Sequence, residues 1–155
     1  MPRDAKQRSY DTLAAELKAL IGGEDDRTAR AANTAALLFG SLPELNWAGF
    51  YFLRGEQLVL GPFQGKPACL RIPLGKGVCG TAAERRETVV VADVHQFPGH
   101  IACDSASRSE IVVPIVADGQ LIGVLDLDSP LPGRFDEQDQ VGLEKLVDIF
   151  LGAEG

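Results

Sequence analysis

No stretch of this sequence approaches the roughly 20 consecutive apolar residues that a transmembrane helix needs. Its opening residues, Met1-Pro2-Arg3-Asp4-Ala5-Lys6, are polar rather than the apolar core of a secretory leader. A cytoplasmic location with no membrane association is expected. Positive charge is also in deficit, because 15 Lys and Arg face 22 Asp and Glu and leave a net charge of −7. The basic residues are scattered, so the basic face that phosphate binding requires is missing and nucleic acid is excluded as a partner. Low-complexity tracts, internal repeats and linker-like runs are absent as well. One domain is expected over residues 1–155, with its core over about residues 10–150. Apolar residues make up 45% and charged residues 24% of the chain, an ordinary globular balance.

Cysteine is scarce. The three present, Cys69, Cys79 and Cys103, are an odd number without a secretory signal. Such residues are more often chemically active thiols or metal ligands than a structural disulfide framework. No close Cys-x-x-Cys pair exists to nucleate a metal knuckle, and neither a bound metal nor a bound cofactor is expected. One zinc alternative stays open: His100 and Cys103 with either remaining cysteine, which stoichiometric metal in the purified protein would reveal.

What is present describes an α+β domain. Tyr10, Leu13, Leu17, Leu20 and Ile21 recur at helical spacing, with Gly22-Gly23 as the stop. A second, Ala-rich helix is expected from about Asp26 to Phe39. Strand-like segments follow at 47–53 and 57–62 around Arg54-Gly55-Glu56, then at 69–72 and 88–92, with a short helix at 77–86 between the last two. Residues 93–107 lack a clean period and read as a long ordered loop with room for a helical turn, and loops this long inside a compact domain are usually functional or disordered. Two strong strands, 110–116 and 120–128, flank Ala117-Asp118-Gly119. Asp136 is placed to cap a last helix whose apolar side comprises Val141, Leu143, Leu146, Val147 and Phe150. Helices at both ends packed on an antiparallel sheet complete the expected architecture.

Asp126 and Asp128 alternate with Leu125 and Leu127 in a segment that otherwise looks core-bound. Edge-strand protection is one explanation; a functional cluster is the other. A two-residue Asp118-Gly119 turn would set Glu110 opposite Leu127. A three-residue turn with Gly last sets Glu110 opposite Asp126, on the face that also carries Asp128, and this second register is the expectation. Carboxyl groups that close cannot all ionise cheaply, so at least one should keep its proton near neutral pH. Such a cluster offers a proton donor and a seat for an ammonium group.

Cys79 suits burial in the short helix. Cys103, between His100 and Asp104 in a polar loop, suits an exposed thiol with a usable thiolate fraction. His95 and His100 fit hydrogen-bonded scaffolding for the same loop.

Several segments together resemble the free methionine-(R)-sulfoxide reductases, which are built on a single GAF domain. They are Asn46-Trp47-Ala48-Gly49-Phe50-Tyr51, Leu60-Gly61-Pro62-Phe63-Gln64-Gly65-Lys66-Pro67-Ala68-Cys69 and Gly77-Val78-Cys79-Gly80. Further on come Asp93-Val94-His95-Gln96-Phe97-Pro98-Gly99-His100-Ile101-Ala102-Cys103-Asp104, Ser109-Glu110-Ile111-Val112-Val113-Pro114 and Gly123-Val124-Leu125-Asp126-Leu127-Asp128-Ser129-Pro130. The resemblance spans about residues 10–150. The Val113-Pro114 and Gly123-Val124-Leu125 strands are common to GAF domains, whereas the three cysteines in their settings are far more specific.

The resemblance implies Cys103 as nucleophile, Cys69 as the main resolving thiol and Cys79 as a secondary one. It implies a substrate pocket holding Glu110, Asp126 and Asp128, walled by Trp47 and Tyr51, with Glu110 or Asp128 as proton donor. The implied activity is thiol-dependent reduction of free L-methionine (R)-S-oxide, recycled by thioredoxin, and a homodimer is compatible with it. The main alternative is a GAF small-molecule sensor that binds without chemistry. A bilin-carrying GAF domain and a peroxide-reducing thiol enzyme are further rivals, separable by colour and by the oxidant that consumes thiols.

Overall fold

The computed structural model describes residues 3–99 and 106–152. Helices α1 (Arg3–Ile21) and α2 (Arg27–Ser41) open the chain, followed by β1 (Trp47–Arg54), β2 (Gln57–Gly65) and β3 (Arg71–Pro73). Helix α3 (Gly77–Arg85), β4 (Val89–Val91), β5 (Ser109–Ala117), β6 (Gln120–Ser129) and α4 (Glu137–Gly152) complete the order, with a 3-10 turn at Val94–Gln96 after β4. The six strands form one sheet in the order β3-β2-β1-β6-β5-β4, and every neighbouring pair is antiparallel. The fold is α+β, as expected.

Helix boundaries follow local chemistry. Asp26 caps α2 by accepting from the Ala29 amide at 2.9 Å, and Asp136 caps α4 by accepting from Gln138 and Asp139 amides at 2.9 and 3.1 Å. Each side chain satisfies amide groups that a helix start leaves without a partner. Two helix-face expectations are corrected. Leu20 is 48% and Val141 67% exposed, because the buried stripes pass beside these positions through Leu17 and Ile21 and through Leu143, Leu146, Val147 and Phe150. The third strand also starts later than expected, at Arg71 rather than Cys69.

The sheet separates two apolar layers. Helices α1, α2 and α4 cover one face around Leu17, Leu38, Phe50, Ile111, Leu125 and Phe150. Helix α3 lies over the other face, which carries Trp47, Tyr51, Val112 and Val124. Alternation along each strand assigns neighbouring residues to opposite layers. No helix among the described residues is long and apolar enough to cross a membrane.

The β5–β6 register differs from the expectation. The turn is the two-residue Asp118-Gly119, both at positive φ, 51° and 75°, the signature of a hairpin turn whose twist matches its strands. Ala117 pairs with Gln120 and Val116 with Leu121, but Ile115 pairs with Gly123. Ile122 is therefore an extra residue in β6, a β-bulge. Beyond it Glu110 lies opposite Asp128, and Val112 opposite Asp126. The expected Glu110–Asp126 pairing is wrong, yet the bulge leaves all three acids on one face.

Candidate active site

That face is the one α3 covers. Glu110, Asp126 and Asp128 are 7, 5 and 8% exposed, so three carboxyl groups share a nearly dry space. Burial pushes the Asp126 carboxyl well above the ordinary Asp value, and the neighbouring Asp128 and Glu110 charges push it further. Desolvation disfavours the charged form, and a second negative charge compounds the cost. Asp126 therefore keeps its proton under conditions that ionise an exposed Asp. Its Oδ1 atom is buried without a hydrogen-bond partner, so the cluster retains unused acceptor capacity.

Cys79 reaches the acids from above. It sits in the first turn of α3, and its thiol donates to Glu110 Oε2 at 3.8 Å. Burial and then the charges of Asp126, Glu110 and Asp128 push that thiol well above its usual range. A thiol so placed is neutral, hence a weak nucleophile.

Aromatic rings close the side of the space. Trp47 lies opposite Asp128 across β1–β6. Its ring stacks with Tyr51 at 6.0 Å and with Phe63 at 5.2 Å between centroids. Both polar tips are tied to the segment after β2: Trp47 Nε1 donates to the Lys66 carbonyl at 3.1 Å, and Tyr51 Oη donates to the Cys69 carbonyl at 2.8 Å. The Tyr51 hydroxyl is raised by burial and by the adjacent Cys79 and carboxylates, so it remains a donor. Gly49 lets the wall form, since a Cβ there would meet Phe63 Cβ at 2.3 Å and the Trp47 ring at 2.8 Å.

The structure thus brings together Trp47, Tyr51, Cys79, Glu110, Asp126 and Asp128. Cys69 stands beside this wall and is disulfide-bonded, whereas Cys79 is a free thiol. Cys103 and His100 lie outside the described residues. The zinc alternative loses Cys69 as a thiolate ligand, because a disulfide sulfur cannot serve as one. His95 is loop scaffolding: Asp93 Oδ1 accepts from the His95 amide at 3.0 Å and lies 3.2 Å from its Nδ1. Bonding to His95 lowers the Asp93 carboxyl.

Two participants escaped the sequence reading. Phe63 joins the wall because the β1–β2 register shifts between Gly49 and Tyr51, an irregularity with no local sequence signature. The Cys79–Glu110 contact joins residues 31 positions apart, which no spacing rule anticipates.

The comparisons with known proteins identify the family. The GAF domain model matches residues 10–150. The free methionine-R-sulfoxide reductase of Escherichia coli (strain K12) is 55% identical over 142 residues, covering 92% of this chain and 86% of that protein. A structure of fRMsr of Staphylococcus aureus in complex with substrate superposes with a TM-score of 0.90 at 52% identity, covering 94% and 95% of the two chains. A free methionine-R-sulfoxide reductase from Neisseria meningitidis, also in complex with its substrate, gives a TM-score of 0.90 at 46% identity over 94% of this chain and 87% of that one. On fold and kinship alike, this chain belongs to the GAF domain family and, within it, to the free methionine-R-sulfoxide reductases.

Proposed function

We propose that this protein reduces free L-methionine (R)-S-oxide to L-methionine with the Cys103 thiol, in the cytoplasm and at the expense of thioredoxin. The observation that carries this is the convergence of three buried carboxyl groups beside an aromatic wall, where burial and the neighbouring acids raise the Asp126 carboxyl toward its neutral form. A sulfoxide oxygen leaves sulfur only once it is protonated, and a neutral carboxylic acid is the group that can protonate it.

In the proposed cycle, the Cys103 thiolate attacks the sulfoxide sulfur while Glu110 or Asp128 protonates the oxygen. The protonated oxygen then passes to the Cys103 sulfur as the sulfur–oxygen bond and the new sulfur–sulfur bond break. The electron pair stays on the substrate sulfur, so methionine departs reduced by two electrons and Cys103 is left as the sulfenic acid. The Cys69 thiol condenses with it, releasing water and forming a disulfide, which an external dithiol then reduces by exchange. The substrate ammonium sits by Asp126. Its positive charge favours the ionised carboxylate, so the proton that Asp126 gives up becomes available to its neighbours. Trp47 and Tyr51 flank the S-methyl end, where sulfur–aromatic contact is favourable.

Further support comes from the anchoring of the loop that carries Cys103. The Gly99 carbonyl accepts from the Gly77 amide at the start of α3 at 3.1 Å, and Asn46, just before β1, donates to Ser107 at 3.1 Å. Both anchors lie on elements that frame the acids. Cys103 is four residues beyond Gly99, a reach of at most about 14 Å. The disulfide at Cys69 and the free, buried Cys79 support Cys69 as the principal resolving thiol and Cys79 as a reserve. No resident metal or cofactor is required, and a homodimer is compatible with the chemistry.

The test is to incubate reduced protein with the separate R and S sulfoxides of free methionine and measure both methionine released and thiols consumed. The expected result is R-selective release with two thiols lost per methionine. Ligand binding without thiol loss would instead identify a sensor.

A further inference from the structure

We propose that the acid pocket is also a binding site for a thiophilic divalent cation of the zinc or cadmium type, held by Cys79, Glu110 and Asp126, and that its occupation excludes the sulfoxide. One ligand atom from each of these residues lies within 4.8 Å of the other two, and all three residues are buried. The Cys79 Sγ to Glu110 Oε2 distance is 3.8 Å. Bonds of about 2.0–2.3 Å around a tetrahedral ion set neighbouring ligand atoms roughly 3.3–3.8 Å apart, so small side-chain adjustments complete the site. In addition, the Asp126 Oδ1 atom is buried with no hydrogen-bond partner of its own, so one oxygen of the cluster is uncommitted.

The ligand set decides the class of ion. A thiolate selects zinc-like and cadmium-like ions over magnesium or calcium, which prefer all-oxygen shells. Charge points the same way, because Asp128 faces Glu110 across the strands, and a divalent ion offsets the repulsion that otherwise keeps protons on the cluster. On binding, the Cys79 thiol and any carboxyl still carrying a proton release it to solvent; no electrons move. Three protein ligands leave the fourth position to water. These residues differ from the His100–Cys103 set raised by the sequence, and they need neither member of it. The exclusion of substrate rests on the pocket assignment proposed above; the binding itself does not.

Cadmium alone is the probe, because a cadmium–thiolate bond has its own ultraviolet charge-transfer band. In the oxidised protein, where Cys79 is the free thiol among the described residues, one equivalent of cadmium should raise this band. Cys79→Ser should abolish it, and Asp126→Asn or Glu110→Gln should weaken binding at least about tenfold. No band in the wild type, or an undiminished band in a folded Cys79→Ser protein, overturns the proposal. In a Cys69→Ser/Cys103→Ser chain, which cannot turn over, free methionine-(R)-sulfoxide should displace cadmium and lower the band. Failure of displacement refutes the exclusion of substrate, whereas the cation site itself stands or falls with the band and its loss in Cys79→Ser. A wild type that binds cadmium yet lacks reductase turnover would count against the proposed enzyme function alone.

Discussion

At the scale of single residues, chemistry and stability pull against each other at Asp126. An ordinary Asp ionises near pH 4 in the unfolded chain, whereas the folded protein holds this carboxyl's proton to much higher pH. Above about pH 4 the native state therefore binds more protons than the unfolded one, and this residue's contribution to stability falls as pH rises until the buried carboxyl ionises. Asp126→Asn removes that slope. It is expected to stabilise the protein at pH 7 by roughly 1–3 kcal/mol, or a rise of a few degrees in Tm, with little effect near pH 4, while lowering sulfoxide turnover. Thermal melts at both pH values check the sign; equal destabilisation at both would contradict it. The thiols give a second prediction. Cys103→Ser should abolish turnover. Cys69→Ser should release about one methionine per enzyme and then stall unless Cys79 substitutes, as a single-turnover assay with thioredoxin as donor would show.

At the scale of elements, the β5–β6 hairpin decides where the acids point. Two single-residue deletions should behave oppositely. Deleting Ile122 removes only the bulge and leaves Glu110 opposite Asp128, so turnover should survive in the folded fraction. Deleting Val116 shifts the rest of β5 by one place and turns Glu110 toward the layer of α1, α2 and α4, so turnover should vanish with much of the stability. Comparable activity in both soluble variants would refute this account. The same hairpin shows what sequence can carry. The cap at Asp136 was legible because a side chain bonds amides two or three residues away. The acids' shared face was legible because pairing preserves alternation. Their partners were not, since the bulge is set by packing on both sides of β6 rather than by the turn. Phe63 escaped for a similar reason on β2, and Cys79's role as neighbour to Glu110 depends on how α3 crosses the sheet.

At the scale of the whole molecule, the sheet keeps the candidate site on one face and most of the supporting core on the other. The supporting side is clipped by Asp139, which is fully buried. It accepts from Tyr10 at 2.7 Å and Lys6 at 2.7 Å on α1, and lies 3.4 Å from Arg134. Removing one member of such a network strands the others. Asp139→Ala should cost about 3–5 kcal/mol, read from urea unfolding, while kcat of the folded fraction stays unchanged because the clip lies across the sheet from the acids. A loss of kcat with stability intact would show that the two layers communicate more than the packing suggests.

The aromatic wall has one more consequence. The chain contains a single tryptophan, and Trp47 places it 2% exposed against Tyr51 and Phe63, opposite Asp128. Indole emission is sensitive to nearby charge, quenching sulfur and water, and all of the indole emission here originates in the wall beside the acids. The tryptophan fluorescence of the unlabelled protein is consequently a gauge of occupancy of the proposed pocket, readable without turnover, dyes or an engineered reporter.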